Sequence, residues 1–177
     1  MRFKNTSLKL KNLFVILILA CCCSLSAQPL TAPRGADVST WQKDKYPSVF
    51  LIGEYSNAFE ALSRSHNTPL INACDEDMEI AFSKWVDMMM ALETYSEEEG
   101  YDIRGVKMWI KIFWAADGAV EHIAYFLKPQ SRNISTKKLS DFFKGFIRTY
   151  KLPLEVERSF SHYGSVSFPT HYRLIKP

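Results

Sequence analysis

Between Lys107 and Trp114 the side chains alternate. Met108, Ile110, Ile112 and Trp114 take one parity, and Lys107, Trp109, Lys111 and Phe113 take the other. Period two over this run is the repeat of an extended strand, not of a helix. Asp117-Gly118 follows, and because Gly accepts a positive φ at no steric cost, the chain is predicted to reverse there. Ile123, Tyr125 and Leu127 then share one face of a return strand that stops before Pro129. An antiparallel hairpin is therefore the element around which the rest must pack. Trp109 and Phe113 on the second parity predict that both faces of the sheet are covered, at least in part.

Two helices are expected to supply that cover. Leu139, Phe142, Phe143, Phe146, Ile147 and Tyr150 fall at i, i+3, i+4, i+7, i+8 and i+11, which is one stripe of an amphipathic helix. Ser135 or Thr136 caps it, and Pro153 forbids its continuation. Its Phe stripe is predicted to bury against Ile110, Ile112, Ile123 and Tyr125, and Gly145, off the stripe, marks a close approach. A longer acidic helix is predicted from Asp75 as N-cap, with Glu76, Asp77 and Glu79 at the positive end of its dipole. Met78, Trp85 and Leu92 form one seam, Ala81, Met88 and Tyr95 a second, and Gly100 closes it after Glu97-Glu98-Glu99. The Met88-Met89-Met90 cluster reads as core packing. This helix is the expected cover for the second sheet face, where Lys107 and Lys111 would answer its carboxylates.

The remaining elements are shorter. Tyr55, Phe59 and Leu62 predict a helix over 54–64, ended by Asn67-Thr68-Pro69. Val49 to Ile52 starts a strand or a first helical turn, Leu70 to Cys74 reads as a brief buried strand, and Ser165 to Ile175 as the last strand. In that strand Val166 and Phe168 are in phase, with Tyr172 and Leu174 after Pro169. The fold class is α+β, a helical N-terminal half packed on a β-β-α-β unit.

The N-terminus carries a different message. Arg2, Lys4, Lys9 and Lys11 precede an apolar run from Leu13 to Ala20, and Leu25-Ser26-Ala27 then stands before Gln28. That is the pattern of a cleaved signal peptide, residues 1–27, and the apolar run falls short of the roughly 20 residues a spanning helix needs. Ile18-Leu19-Ala20-Cys21 is also a loose lipobox, so membrane attachment is expected only if Cys21 is lipidated. Residues 28–47, with Pro29, Pro33 and Pro47, read as a leader, 48–103 as an acidic, mainly helical subdomain, and 104–177 as the β-β-α-β subdomain. The predicted location is periplasmic or secreted.

Removal of the signal changes the charge. Lys plus Arg falls from 22 to 18 against 19 Asp plus Glu, which takes the net charge from +3 to −1 and removes the main support for nucleic-acid binding. Residues 28–104 hold 6 basic and 14 acidic groups, and residues 105–177 hold 12 and 5. The two halves either face each other or leave a basic surface for an acidic partner.

Chemistry-bearing motifs are few. Outside the signal Cys74 is alone and reads as a buried structural thiol. His66, His122, His162 and His171 lack metal-ligand spacing, and Asp75, Glu76, Asp77 and Glu79 lack the pattern of a calcium loop. Glu97 to Glu99 reads as a solvated helix end. Ser161, His162 and Tyr163 stand together, but a nucleophile and its base usually meet from separate segments. No residue pattern calls for a cofactor or a metal, and no catalytic residue is assigned.

The alternating run Val106 to Trp114, the turn Ala115-Ala116-Asp117-Gly118, Val120, the helix Leu139 to Tyr150 and the strand from Gly164 together resemble the C-terminal domain of TonB. TonB is the periplasmic energy transducer of outer-membrane transport. The resemblance covers about residues 104–175. It lacks the family's proline-rich spacer and membrane anchor, and Tyr101-Asp102-Ile103-Arg104 stands where the family usually has a Tyr-Pro pair. The glycine that opens the family's strand corresponds to Gly105, one position out of step. The resemblance implies that the final strand lends its edge to an extended segment of an outer-membrane transporter or another envelope protein. Ser165, Val166, Ser167, Phe168, Thr170 and Tyr172 would then make the contact. Pro169, which has no N–H, removes one ladder bond from that edge. The expected function is thus an exported, non-enzymatic interaction module. The alternative is a periplasmic small-ligand-binding protein or enzyme using an aromatic groove between helix and sheet.

Overall fold

The computed structural model describes residues 46–171, which run β1 (Val49–Leu51), α1 (Ser56–Ser65), β2 (Thr68–Pro69), α2 (Leu70–Ala73), α3 (Met78–Glu98), β3 (Lys107–Trp114), β4 (Val120–Leu127), α4 (Thr136–Thr149) and β5 (Phe160–Ser167). The predicted signal, the leader up to Lys45, Cys21 and Tyr172 lie outside the described residues. The strands form one mixed sheet in the order β1-β4-β3-β5-β2. Strand β3 is antiparallel to both β4 and β5, while β1 joins β4 and β2 joins β5 in parallel. The chain is α+β with the expected antiparallel hairpin, and its first half contributes two short outer strands as well as helices.

The hairpin turns where Asp117-Gly118 predicts. Gly118 has φ +85°, and a Cβ there would lie 2.2 Å from the Leu152 carbonyl oxygen, so glycine is required on two counts. The Asp117 carboxylate accepts the Ala119 N–H at 3.0 Å and the Lys151 ammonium at 2.8 Å, and those bonds hold its pKa below the ordinary carboxylate value.

Helices α3 and α4 pack on one and the same face of the sheet. Trp85, Met88, Met89 and Leu92 of α3 join Leu139, Phe142, Phe143 and Phe146 of α4 over Met108, Ile110, Ile112, Ile123 and Tyr125, all buried in one cluster. The second face is covered by α1 instead. Phe50, Ala58 and Leu62 close over Phe113 and Ala124 there, and Lys111 donates to the Ser63 hydroxyl at 2.9 Å rather than to a carboxylate of α3. The assignment of the acidic helix to that face is therefore corrected. Its buried stripe is wide enough to share the larger apolar face with α4, and α1 covers part of the second face.

Three boundaries also move. Asp75 and Glu76 have φ of 55° and 63°, outside the helical region, so Asp77 caps α3 and accepts the N–H groups of Glu79 and Ile80 at 2.9 Å. Leu70 to Ala73 is a helical turn, not a strand, closed by Cys74 N–H to Leu70 O at 3.1 Å. A short apolar run does not distinguish the two conformations. Strand β5 begins at Phe160, before Ser165, because His162 and Gly164 sit on its core-facing parity and break the apolar alternation. It ends at Ser167, although Phe168 still pairs through its N–H to Val106 O at 2.9 Å.

Gly145 marks a close approach in α4. A Cβ there would stand 2.2 Å from the Tyr95 hydroxyl, and the Tyr95 ring is held between Phe142 and Phe146 at 5.3 and 5.7 Å. Gly to Ala in a helix interior gains about 1 kcal/mol of propensity. We expect Gly145→Ala to forfeit that gain by displacing Tyr95, and Gly145→Ala with Tyr95→Phe to recover it. Chemical denaturation of the two variants checks this, and a stabilised single variant would contradict the contact.

Candidate functional site

The end of the sheet that α1 leaves uncovered is built by three adjacent strands. On the second face the register sets Trp109 of β3 level with Phe126 of β4 and Ser165 of β5, and Lys111 level with Tyr163. Phe113, beneath α1, is fully buried, but Trp109, Phe126 and Tyr163 are 41%, 51% and 50% exposed. The Trp109 and Tyr163 rings stack at 5.8 Å with 15° between their planes. The Lys128 ammonium lies over the Trp109 ring, 4.4 Å from its centroid, and donates to the Ser165 hydroxyl. A lysine rooted next to β4 thus delivers its charge to β5. Lys111 marks the border with the covered half, 5.2 Å from the Phe59 and Phe113 rings, and burial pushes its pKa down.

The outer edge of β5 is the second component. Phe168 bonds to Val106, so alternation turns the N–H and C=O of Val166, Gly164 and His162 toward β3 and those of Ser167, Ser165 and Tyr163 outward. Strand β2 pairs only with Phe160 and Ser161. Among the described residues no strand lies beside β5 from His162 to Ser167. Of the residues implicated by the family resemblance, Ser165 and Ser167 are exposed on this edge. Val166 and Phe168 are buried in the core, and the Thr170 N–H is given to the Glu93 carboxylate. Sequence reasoning did not select Trp109, Phe126, Lys128 or Tyr163 as site residues. The available signal was the pairing of large aromatics with lysines on the polar parity of β3 and β4.

The core-facing side of β5 has its own titratable group. His162 lies against the Trp85 ring at 4.6 Å, and burial pushes the imidazole pKa below its ordinary 6.5. The unfolded chain therefore takes up this proton at a higher pH than the folded one. The stability His162 supports is fully present above about pH 6.5 and is lost as the pH falls below it. We expect the urea midpoint to drop less between about pH 7.5 and 5.5 in His162→Gln than in the parent. An unchanged slope would exclude the effect.

A polar cluster under α1 superficially resembles a catalytic triad. The Ser65 hydroxyl lies 3.0 Å from His66 Nδ1, and His66 Nε2 lies 2.9 Å from Glu121 Oε2. The imidazole is only 1% exposed, and the Ser65 hydroxyl also reaches the Leu62 and Ala61 carbonyls at 3.1 and 3.3 Å. These are carbonyls at the C-terminal end of α1, where the dipole is negative and repels an oxyanion. The cluster is a buried polar network. Cys74 is buried with its pKa raised, which disfavours a reactive thiolate. Among the described residues no group of three His, Cys, Asp or Glu side chains is placed to hold a metal ion, and no helix is long and apolar enough to cross a membrane.

No family model, no curated protein and no solved structure matches the chain. The functional reading rests on the residues themselves.

Between α4 and the sheet the interior is filled by Ile110, Ile123, Tyr125 and Phe143. A cavity of about 520 Å³ lies instead at the rim, between the C-terminal end of α3 and the segment after β5, lined by Glu93, Tyr101, Asp102, Arg104, Phe168 and His171 among others.

Proposed function

We propose that this chain is an exported, non-enzymatic interaction module of the cell envelope that receives an extended segment of a partner on the outer edge of β5. The partner class implied by the TonB resemblance is an outer-membrane transporter or another envelope protein. The observation that carries the reading is the outward row of main-chain groups at Tyr163, Ser165 and Ser167, with no strand beside it among the described residues. Such a row favours strand addition. The competing small-ligand reading is supported by the rim cavity, whose lining includes the Tyr101 hydroxyl, buried without a hydrogen-bond partner among the described residues, but the carboxylates of Glu93 and Asp102 there are already engaged. Glu93 accepts from Thr170, and Asp102 is paired with both Arg104 and Arg132 at 2.9 Å.

Amide exchange tests the edge. In the isolated chain the amides of Tyr163, Ser165 and Ser167 are expected to exchange much faster than those of His162, Gly164 and Val166. A photoreactive residue in place of Ser167 is expected to crosslink, in cells, to an extended segment of an envelope protein. Uniformly slow exchange along β5 would mean that the edge is already covered, and would overturn the proposal.

A further inference from the structure

We infer that the edge of β5 selects an extended segment carrying a carboxylate level with Ser165 and an aromatic or bulky apolar side chain level with Tyr163. The inference rests on the strand-addition reading above and specifies its partner. A strand added beside β5 lies roughly 4.8 Å away, and its side chains level with Tyr163, Ser165 and Ser167 share their face of the sheet. That face is the open one. The Lys128 side chain crosses Trp109 and places its ammonium on the Ser165 hydroxyl, one strand spacing from the incoming residue. An Asp or Glu level with Ser165 can take this ammonium in a charge-assisted bond, stronger than the neutral hydroxyl contact it replaces. Two residues along, the exposed Tyr163 ring, backed by Trp109 at 5.8 Å, offers apolar surface to a matching side chain. The next position level with β5, Ser167, lies opposite Lys107 and offers a further hydroxyl. The side chains shown on the open end are lysine, serine and aromatic, so charge complementarity favours an acidic segment over a basic one.

The test uses the purified full chain and nine-residue synthetic peptides of alternating Thr and Val, with Glu, Gln or Lys at the centre. Fluorescence anisotropy at low salt is expected to rank them Glu over Gln over Lys. The Glu-to-Gln gap should be about tenfold, the scale of one charge-assisted bond. The gap should shrink in high salt, and Lys128→Gln should abolish it. Equal binding of Glu and Gln peptides, with protection of the Tyr163, Ser165 and Ser167 amides by both, would overturn the charge selection and spare the edge. Failure of every peptide to protect those amides would overturn both. Binding instead to vesicles of anionic phospholipid through Trp109 and Lys128, without peptide binding, would also overturn both and reassign the face to a lipid surface.

Discussion

Replacing Phe143 by Ala is expected to cost about 3–5 kcal/mol, a large share of the roughly 5–15 kcal/mol that holds a domain of this size. The ring is 1% exposed, meets Tyr125 edge-to-face at 5.4 Å and touches Phe142 at 5.6 Å. Truncation therefore opens a cavity where α4 meets the hairpin. It also loosens Tyr125, whose hydroxyl donates to the Thr136 carbonyl at 3.0 Å and lies 2.9 Å from the Ser140 hydroxyl. Urea denaturation measures the loss. Phe126→Ala, on the open face of the same strand as Tyr125, serves as the control and is expected to change stability by no more than about 0.5 kcal/mol. Equal effects of the two would contradict the division of the sheet into a packed and an open side.

The second large effect is expected at Glu121. Strand β4 carries one extra residue opposite the Phe113–Trp114 step, since Phe113 pairs with His122 and Trp114 with Val120. A bulge of this kind re-aims a side chain. Here it turns Glu121 beneath α1, where its carboxylate meets His66 at 2.9 Å with both side chains almost fully buried. Glu121→Ala leaves the buried His66 Nε2 without its hydrogen-bond partner, at a cost of about 1–3 kcal/mol. Removing both partners together is expected to cost clearly less than the sum of the single changes. A double-mutant cycle by denaturation reads the coupling directly, and strict additivity would mean that the pair contributes nothing of its own.

What could be read from the residues alone follows from periodicity. The hairpin, the Phe stripe of α4 and the turn at Gly118 were legible because each repeats a simple spacing or demands one residue type. The length of α3 was legible too, but its start was not, because Asp75 and Asp77 are chemically equivalent caps and only backbone dihedrals separate them. The sheet face that α3 covers was not legible either. Trp109 and Phe113 share a parity, and nothing local says that α1 reaches one and stops short of the other. The parallel additions of β1 and β2 are long-range pairings of two or three residues, too short to carry any repeat. For the candidate site, the exposed serines were anticipated through the resemblance. The reach of Lys128 across two strands to Ser165 is a rotamer and packing outcome with no sequence signature.

Strand β2 also limits how much of β5 a partner could grip. By occupying Phe160 and Ser161 it leaves three outward residues, each with one N–H and one C=O. At about 1 kcal/mol per main-chain bond these six groups amount to about 6 kcal/mol, less than the roughly 8 kcal/mol of a micromolar complex. So small a footprint implies a short residence time, and discrimination among partners then rests on the few side chains within reach of the edge. Under the proposed strand addition, Thr68 and Pro69 would act as a doorstop that keeps the grip brief, which would suit a contact made and broken many times better than a permanent joint.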